Sequence, residues 1–356
     1  MSPGMTPDCY RVVFMYSFKN DYSEGAHPQV LDALSRSNLQ QLEGYGLDQH
    51  SLDVVARIRE LVGDPDASVH LISGGTQTNL IAISSFLRPH EACIAPKTGH
   101  IAVHEAGAIE ATGHKLLTVE TSDGKLTTKH IAPLLKEHHF EHMVKPRLVY
   151  ISNPTELGTI YSHSELETLY HYCQEHRLLL YLDGARLGSA ISVDGSGLDF
   201  ANIYQNSDGF FIGGTKNGAL LGEILVLKNH DMAKEYRYLI KQRGALLAKG
   251  RILGIQFAEL FRDNLYLQLA SHANQTAQHM VKELAQKGCQ FHINSPTNQI
   301  FPILPTLVIE QLSRSFDFYT WQQLTQDQAV IRLVTSWATP MEQVESFIRE
   351  YQTAMS

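Results

Sequence analysis

Short and almost unbroken apolar runs recur along the chain, each separated from the next by enough polar-patterned sequence for one helix. They are Val69–Ser73, Ala92–Ala95, Leu116–Val119, Leu148–Ile151 and Leu178–Leu182. Because the runs do not alternate apolar with polar, they predict strands covered on both faces, as in a parallel sheet. Between them the spacing turns helical. Leu52, Val55, Ile58 and Leu61 or Val62 fall on one face, with Ser51 in front as a cap and Gly63 behind as a stop. Ser164 and Glu167 make a capping box for a helix through Leu169 and Cys173, so Leu148 to Leu182 reads as a βαβ unit. The whole predicts an α/β protein with a mostly parallel central sheet flanked by helices.

After residue 216 the pattern changes. Gly222–Leu227 predicts one more strand, and a mostly helical stretch follows from about Ala233 to Gly288. Short strands near Phe301–Leu304 and Val330–Val334 and a terminal helix from about Met341 complete a smaller α+β C-terminal domain. The expected division is an N-terminal segment at 1–25, a large domain at 26–250 and a small domain at 251–356.

Composition narrows the class of function. With 356 residues, 43% of them hydrophobic, the chain can bury a large core. Its 29 basic and 37 acidic residues give a net charge of −8 with no basic block, which argues against nucleic acid or an anionic membrane as partner. The four cysteines Cys9, Cys93, Cys173 and Cys289 include no Cys-x-x-Cys pair and read as reduced, packed thiols. Val12–Met15 is too short for a signal core or a membrane span, so a cytoplasmic protein is expected.

Two strand ends carry candidate chemistry. The run Phe210–Ile212 leads into Gly213-Gly214-Thr215-Lys216-Asn217-Gly218, a single lysine held among glycines, and Leu178–Leu182 ends in Asp183-Gly184-Ala185-Arg186. A lysine and a carboxylate so placed are what pyridoxal 5'-phosphate needs: the amine forms a Schiff base with the cofactor aldehyde, and the carboxylate keeps the pyridine ring protonated as an electron sink. Alone, either residue would read as an ordinary turn charge or cap; together they favour the site. A third strand, Val69–Ile72, runs into Ser73-Gly74-Gly75-Thr76-Gln77-Thr78-Asn79 and an apolar helix over Leu80–Leu87. Such a turn brings backbone N–H groups and a helix N-terminus to an anion, although a plain tight turn fits equally well. No Lys-Ser/Thr follows it and no Gly-x-Gly-x-x-Gly occurs, which leaves a nicotinamide-dependent oxidoreductase with little support.

These segments resemble the threonine aldolases, within the β-eliminating lyase group of fold-type-I pyridoxal phosphate enzymes. The resemblance runs over nearly the whole chain, through Asn20-Asp21-Tyr22, His27-Pro28, Gly44-Tyr45-Gly46-x-Asp48, Gly75-Thr76-Gln77-Thr78-Asn79-Leu80, Gly99-His100-Ile101, Glu105-Ala106-Gly107, Asp183-Gly184-Ala185-Arg186-Leu187 and Arg332-Leu333-Val334-Thr335. It implies a homodimer or homotetramer with active sites at subunit interfaces, and assigns roles by position. Lys216 is the Schiff-base lysine, Asp183 the pyridinium partner, and Gly75 and Thr76 hold the phosphate. His100 stacks on the ring and lies near the substrate's β-hydroxyl. Arg186 and Arg332 reach the cofactor and the substrate carboxylate, with Asn20 touching that carboxylate. His142 falls where some relatives place a second active-site histidine. In the glycine-flanked, otherwise apolar stretch Lys241–Gly250, Lys249 reads equally as part of a solvated helix face or as a cation reaching a neighbouring subunit's phosphate. Asn20 stands where the family often has Ser, and Asn153–Thr159 and Gly213-Gly214-Thr215 are also spelled differently from the usual pattern.

The implied reaction is cleavage of L-threonine or L-allo-threonine to glycine and acetaldehyde. The same residues would also serve β-elimination or amine transfer on another amino acid, and a non-catalytic pyridoxal phosphate- or metabolite-binding protein would keep Asp183 and Lys216. The 18 histidines include an i, i+4 pair, His138 and His142, but no His-Glu-x-x-His, and a solvated helix end is expected there rather than a metal site.

Overall fold

The computed structural model describes residues 15–228 and 230–355; Cys9 and Val12–Phe14 lie outside the described residues. At its centre is a seven-stranded sheet of β1 (Ser68–Ile72), β2 (Glu91–Pro96), β3 (Lys115–Val119), β4 (Lys145–Ser152), β5 (Leu179–Asp183), β6 (Gly209–Gly213) and β7 (Glu223–Leu227). Their order across the sheet is β1-β7-β6-β5-β4-β2-β3. Strands β2 to β6 pair in parallel, and β7 runs antiparallel to both its neighbours, β1 and β6.

The continuous apolarity of the inner runs has the expected cause, whereas the expectation fails for Leu116–Val119, whose strand β3 lies at the sheet edge and buries only Leu117. All residues of β2, β6 and β7 are buried, and successive residues of one strand serve two different cores, as a period of two requires. Val149 and Ile151 of β4 pack in one cluster with Leu180 and Ile212. Leu148 and Tyr150 pack on the opposite face with Cys93, Tyr181 and Phe211.

Helix starts differ from the sequence expectation by a few residues. Gln49–Val62 is capped by Asp48, whose carboxylate accepts from Ser51 N, rather than by Ser51 itself. The capping box before His163–Glu175 is Ser162 with Glu165, two residues ahead of the expected pair. The helix expected over Leu80–Leu87 begins at Gly75 and is here α1 (Gly75–Phe86). The long helical stretch is three helices: His230–Gln242, α2 (Arg251–Leu260) and α3 (Leu265–Gln286).

A smaller sheet is built around β9 (Gln328–Val334), which pairs antiparallel with β8 (Tyr319–Gln323), with Pro302–Pro305 and with Gln299–Ile300. Its core joins Met280, Ile331 and Phe347 to Phe18 from the amino-terminal segment. That segment is stitched in by a parallel pairing of Tyr16–Ser17 with Phe316–Asp317. Helix α3 serves both cores: Leu265, Tyr266 and Leu269 pack with the large one, and Ala277, Met280 and Leu284 with the small one. We propose that the smaller unit begins within α3, since Phe257 and Leu260 of α2 also belong to the large core.

The ends of β5 and β6 come unusually close. A Cβ on Gly184 would lie 1.8 Å from the Phe211 carbonyl oxygen, and one on Gly213 would lie 2.3 Å from the Ala185 oxygen. Gly213 N donates to Gly184 O at 2.9 Å across the gap. Gly184→Ala is expected to lower stability by about 3 kcal/mol, because the obstacle is backbone and cannot swing aside. A urea midpoint equal to that of the unaltered protein would contradict this account of the glycine.

Candidate active site

Asp183 ends β5 and is buried, with its carboxylate fully engaged. Tyr150 OH donates to Oδ2 at 2.6 Å, Asn79 Nδ2 to Oδ2 at 2.9 Å, and Ala185 N to Oδ1 at 3.0 Å. Asn79 sits one turn into α1 and donates from the same nitrogen to Glu105 Oε1 at 2.8 Å. Glu105 in turn receives His100 Nδ1 at 2.7 Å. A buried chain of hydrogen bonds thus links His100 to Asp183, and one ligand atom from each of His100, Glu105 and Asp183 lies within 4.8 Å of the others. With Nδ1 committed to a carboxylate, Nε2 is the ring nitrogen left for a ligand. Burial disfavours the imidazolium, but Glu105 and then Asp183 outweigh it, so the pKa of His100 is raised. Glu105 Oε2 is buried with no hydrogen-bond partner among the described residues.

A cavity of about 440 Å³ opens in front of this chain, and His100, Arg186, Lys216 and Arg332 all line it. Tyr22, His104, Glu156 and Tyr319–Trp321 of β8 complete the wall. Lys216 follows β6 by three residues. Burial and the neighbouring Arg186 push its pKa below the ordinary lysine value, against the pull of Asp21, Glu156 and Asp183. Behind it Glu223, the first residue of β7, holds the Gly213–Lys216 turn by accepting from Thr215 Oγ1 at 2.8 Å and Gly214 N at 3.1 Å. Burial lifts the Glu223 carboxyl to about 8 despite those bonds.

The two arginines are not equivalent. Arg186 makes a bidentate pair with Asp21, Nε to Oδ2 at 2.6 Å and Nη2 to Oδ1 at 3.0 Å. Asn298 also donates to Asp21 Oδ2, at 2.9 Å. Burial alone would raise the Asp21 pKa, but Arg186 and Lys216 bring it below the usual carboxylate value. Arg332, on β9, makes no ion pair among the described residues; its Nε is buried without a partner and its guanidinium lies 5.4 Å from the Trp321 ring centre.

At the start of α1, Gly74 provides no side-chain cap, so the first-turn N–H groups of Gly75, Thr76 and Gln77 have no partner inside the helix. An uncapped N-terminus of a helix of 12 residues, one turn from Asn79, is an anion site in waiting. Of the sequence-predicted residues, Asp183, Gly75 and Thr76 lie behind or beside the cavity without lining it, and Asn20, His142 and Lys249 are not brought to it within this chain. Asn20 turns its Oδ1 onto Tyr22 N and Ser23 Oγ, both at 3.0 Å. His142 is exposed beside Phe140 in the loop before β4, and Lys249 is exposed in the turn before α2.

Residues 22–305 match the beta-eliminating lyase family. The chain belongs to that family. A low specificity L-threonine aldolase of Pseudomonas aeruginosa is 30% identical over 342 residues, 95% of this chain and 97% of the relative. A solved threonine aldolase of Leishmania major is 48% identical with a TM-score of 0.94, covering 96% of this chain and 100% of that one. An aromatic aminotransferase of Pyrococcus horikoshii, 15% identical at a TM-score of 0.70 over 96% and 95% of the two chains, shares the fold alone. The fold is the type-I pyridoxal phosphate enzyme fold.

Within this beta-eliminating lyase, Asp21, Asn79, Glu105, Tyr150, Glu156, Trp321 and Glu223 belong to the site or its supports without having been assigned a part from the sequence. Asn79, Asp21 and Glu105 stand inside the motifs already singled out, which was the available signal. If Glu105 holds His100 as described, NMR titration of the apoprotein will place the His100 midpoint above that of a free histidine, and Glu105→Gln will lower it. The imidazolium contribution to stability is then present at pH below the ordinary histidine value and is lost as pH rises through the raised one. An unchanged midpoint in Glu105→Gln would refute this support.

Proposed function

We propose that the protein is a cytoplasmic pyridoxal 5'-phosphate-dependent lyase that cleaves L-threonine and L-allo-threonine to glycine and acetaldehyde, working as a homodimer or homotetramer. The observation that carries this reading is the convergence of Lys216, His100 and Arg332 on one cavity, with the buried Asp183 behind them. The donor set suits the cofactor: an amine of lowered basicity for its aldehyde, a fixed carboxylate for its ring nitrogen, and an uncapped helix N-terminus at Gly75 and Thr76 for its phosphate. When bound, the cofactor supplies the electron sink for bond breaking at Cα.

The protein's own residues do the rest. Arg332, without an ion-pair partner among the described residues, takes the substrate carboxylate, and its planar fork fixes the Cα face so that D-amino acids are rejected. Arg186 is held by Asp21 and contributes charge and the remaining Nη1. Tyr150 and Asn79 donate to the Asp183 carboxylate and keep it aimed. A base on the cavity wall takes the β-hydroxyl proton as the Cα–Cβ bond breaks and acetaldehyde leaves, and a proton returns to Cα to give glycine. The family resemblance places His100 near that hydroxyl. Lys249, exposed on this chain, is assigned to the phosphate site of a neighbouring subunit, Asn20 to the substrate carboxylate, and His142 to the position of a second active-site histidine.

Acetaldehyde release, followed with a coupled alcohol dehydrogenase, tests the reaction, and borohydride should fix the cofactor on Lys216. Pyruvate formed from serine without acetaldehyde from threonine would move the assignment to β-elimination, and glutamate formed from a 2-oxo acid would move it to amine transfer. Arg332→Ala should raise KM for threonine by roughly thirtyfold or more, the equivalent of losing about 2 kcal/mol from a desolvated charge pair. Asp183→Asn should lower kcat by at least about a hundredfold with the fold intact, as the ring nitrogen loses its charged partner. Near-full turnover in Asp183→Asn would show that another group pairs with the ring.

A further inference from the structure

Glu156 is 8% exposed, and the part that is exposed faces the cavity. Its carboxylate makes no hydrogen bond or ion pair with any described residue, unlike Asp21, Glu105, Asp183 and Glu223 around it. A carboxylate removed from bulk water and left without donors is costly, so a buried one is ordinarily paired. The backbone that carries it is nevertheless fixed. Thr155 N donates to Thr159 O at 2.8 Å, and Gly158 N to Thr155 O at 2.9 Å. Asn153 and Tyr161 exchange two bonds of 3.1 Å, and Ser295 Oγ donates to Gly158 O at 2.9 Å. The loop therefore presents the carboxylate to the cavity and holds it there.

A β-hydroxy-α-amino acid has three polar groups. Its amine is the group that meets the cofactor at Lys216. Its carboxylate is repelled by Glu156 and drawn to Arg332. The remaining group is the β-hydroxyl, a hydrogen-bond donor, and Glu156 is an acceptor with no donor. His100 by contrast already has one nitrogen on Glu105 and sits in a field that favours its imidazolium.

We propose that Glu156 accepts the β-hydroxyl hydrogen bond of the substrate and takes its proton when the Cα–Cβ bond breaks, with His100 serving as a positioned ring beside it. In balance, the O–H proton moves to the Glu156 carboxylate, the electron pair of that bond forms the aldehyde C=O, and the Cα–Cβ pair stays with Cα until a proton returns there. The carboxyl proton on Glu156 then goes back to solvent. This rests on the aldolase reading above.

The test uses the holoenzyme and two ligands that differ only in the hydroxyl, L-threonine and L-2-aminobutyrate. Glu156→Gln, nearly the same in shape, should lower kcat/KM for L-threonine by at least about a hundredfold. Its cofactor content and its affinity for L-2-aminobutyrate, read by spectral titration, should stay within about threefold of the unaltered enzyme. Added formate should partly restore threonine cleavage in Glu156→Ala by occupying the vacated space. Threonine cleavage within threefold of normal in Glu156→Gln, or an equal loss of both ligands, overturns the proposal. Unaltered enzyme that releases no acetaldehyde would instead remove the aldolase reading. The ligand pair still decides for Glu156 in that case: selective loss of threonine binding supports it, and equal behaviour of the two ligands sinks it.

Discussion

At Gly184 the chain passes so near β6 that a single added carbon would lie 1.8 Å from the Phe211 oxygen. At Gly213 the same crowding recurs against Ala185. Parallel strands diverge as a sheet twists, and side chains at these two positions would force the carboxyl ends of β5 and β6 further apart. With glycine at both, the backbones lock through the Gly213 N to Gly184 O bond. Asp183, Arg186 and Lys216 then start from a common base, although they come from different strands. The cavity, the charges around it and the reactions open to it all depend on that approach.

From that base the site is organised in two tiers. The buried tier is polar and closely bonded: Tyr150, Asn79, Glu105 Oε1 and Asp183 are joined to one another, and only Glu105 Oε2 among these carboxylate oxygens lacks a partner among the described residues. The cavity tier is the reverse, with Arg332 Nε and the Glu156 carboxylate lacking hydrogen-bond partners among the described residues. Saturated groups set geometry, because each has one low-energy arrangement in a medium of low dielectric. Unsaturated ones set specificity, because a ligand gains most where it completes what the protein left unmade.

The architecture could be read from the sequence because its physics is local. A strand covered on both faces must be apolar at every position, so β2, β5 and β6 were visible as runs. Lys216 and Asp183 stood out for the opposite reason, as charges at the ends of such runs. Helix starts slipped where two side chains could cap, as with Asp48 and Ser51 or Ser162 and Ser164, since either choice satisfies the first-turn N–H groups. Asn79 and Glu105 were visible only as members of motifs, and Glu156 only as part of a differently spelled loop, not individually as site residues. What makes them so is a partner 26 or 104 positions away, or burial without one, and neither leaves a mark on neighbouring residues. Edge strand β8, Tyr319–Gln323, was missed as well; it is largely exposed and carries no apolar run.

Asp21 joins three parts of the chain. It belongs to the amino-terminal segment, grips Arg186 from the large unit, and receives Asn298 from the small one. A few residues earlier the same segment is zipped to Phe316–Asp317. The segment is thus a tether with one end sewn into the smaller core and the other knotted beside the cavity. The guanidinium of Arg186 on the cavity wall is thereby held by a carboxylate that is itself held from the smaller unit.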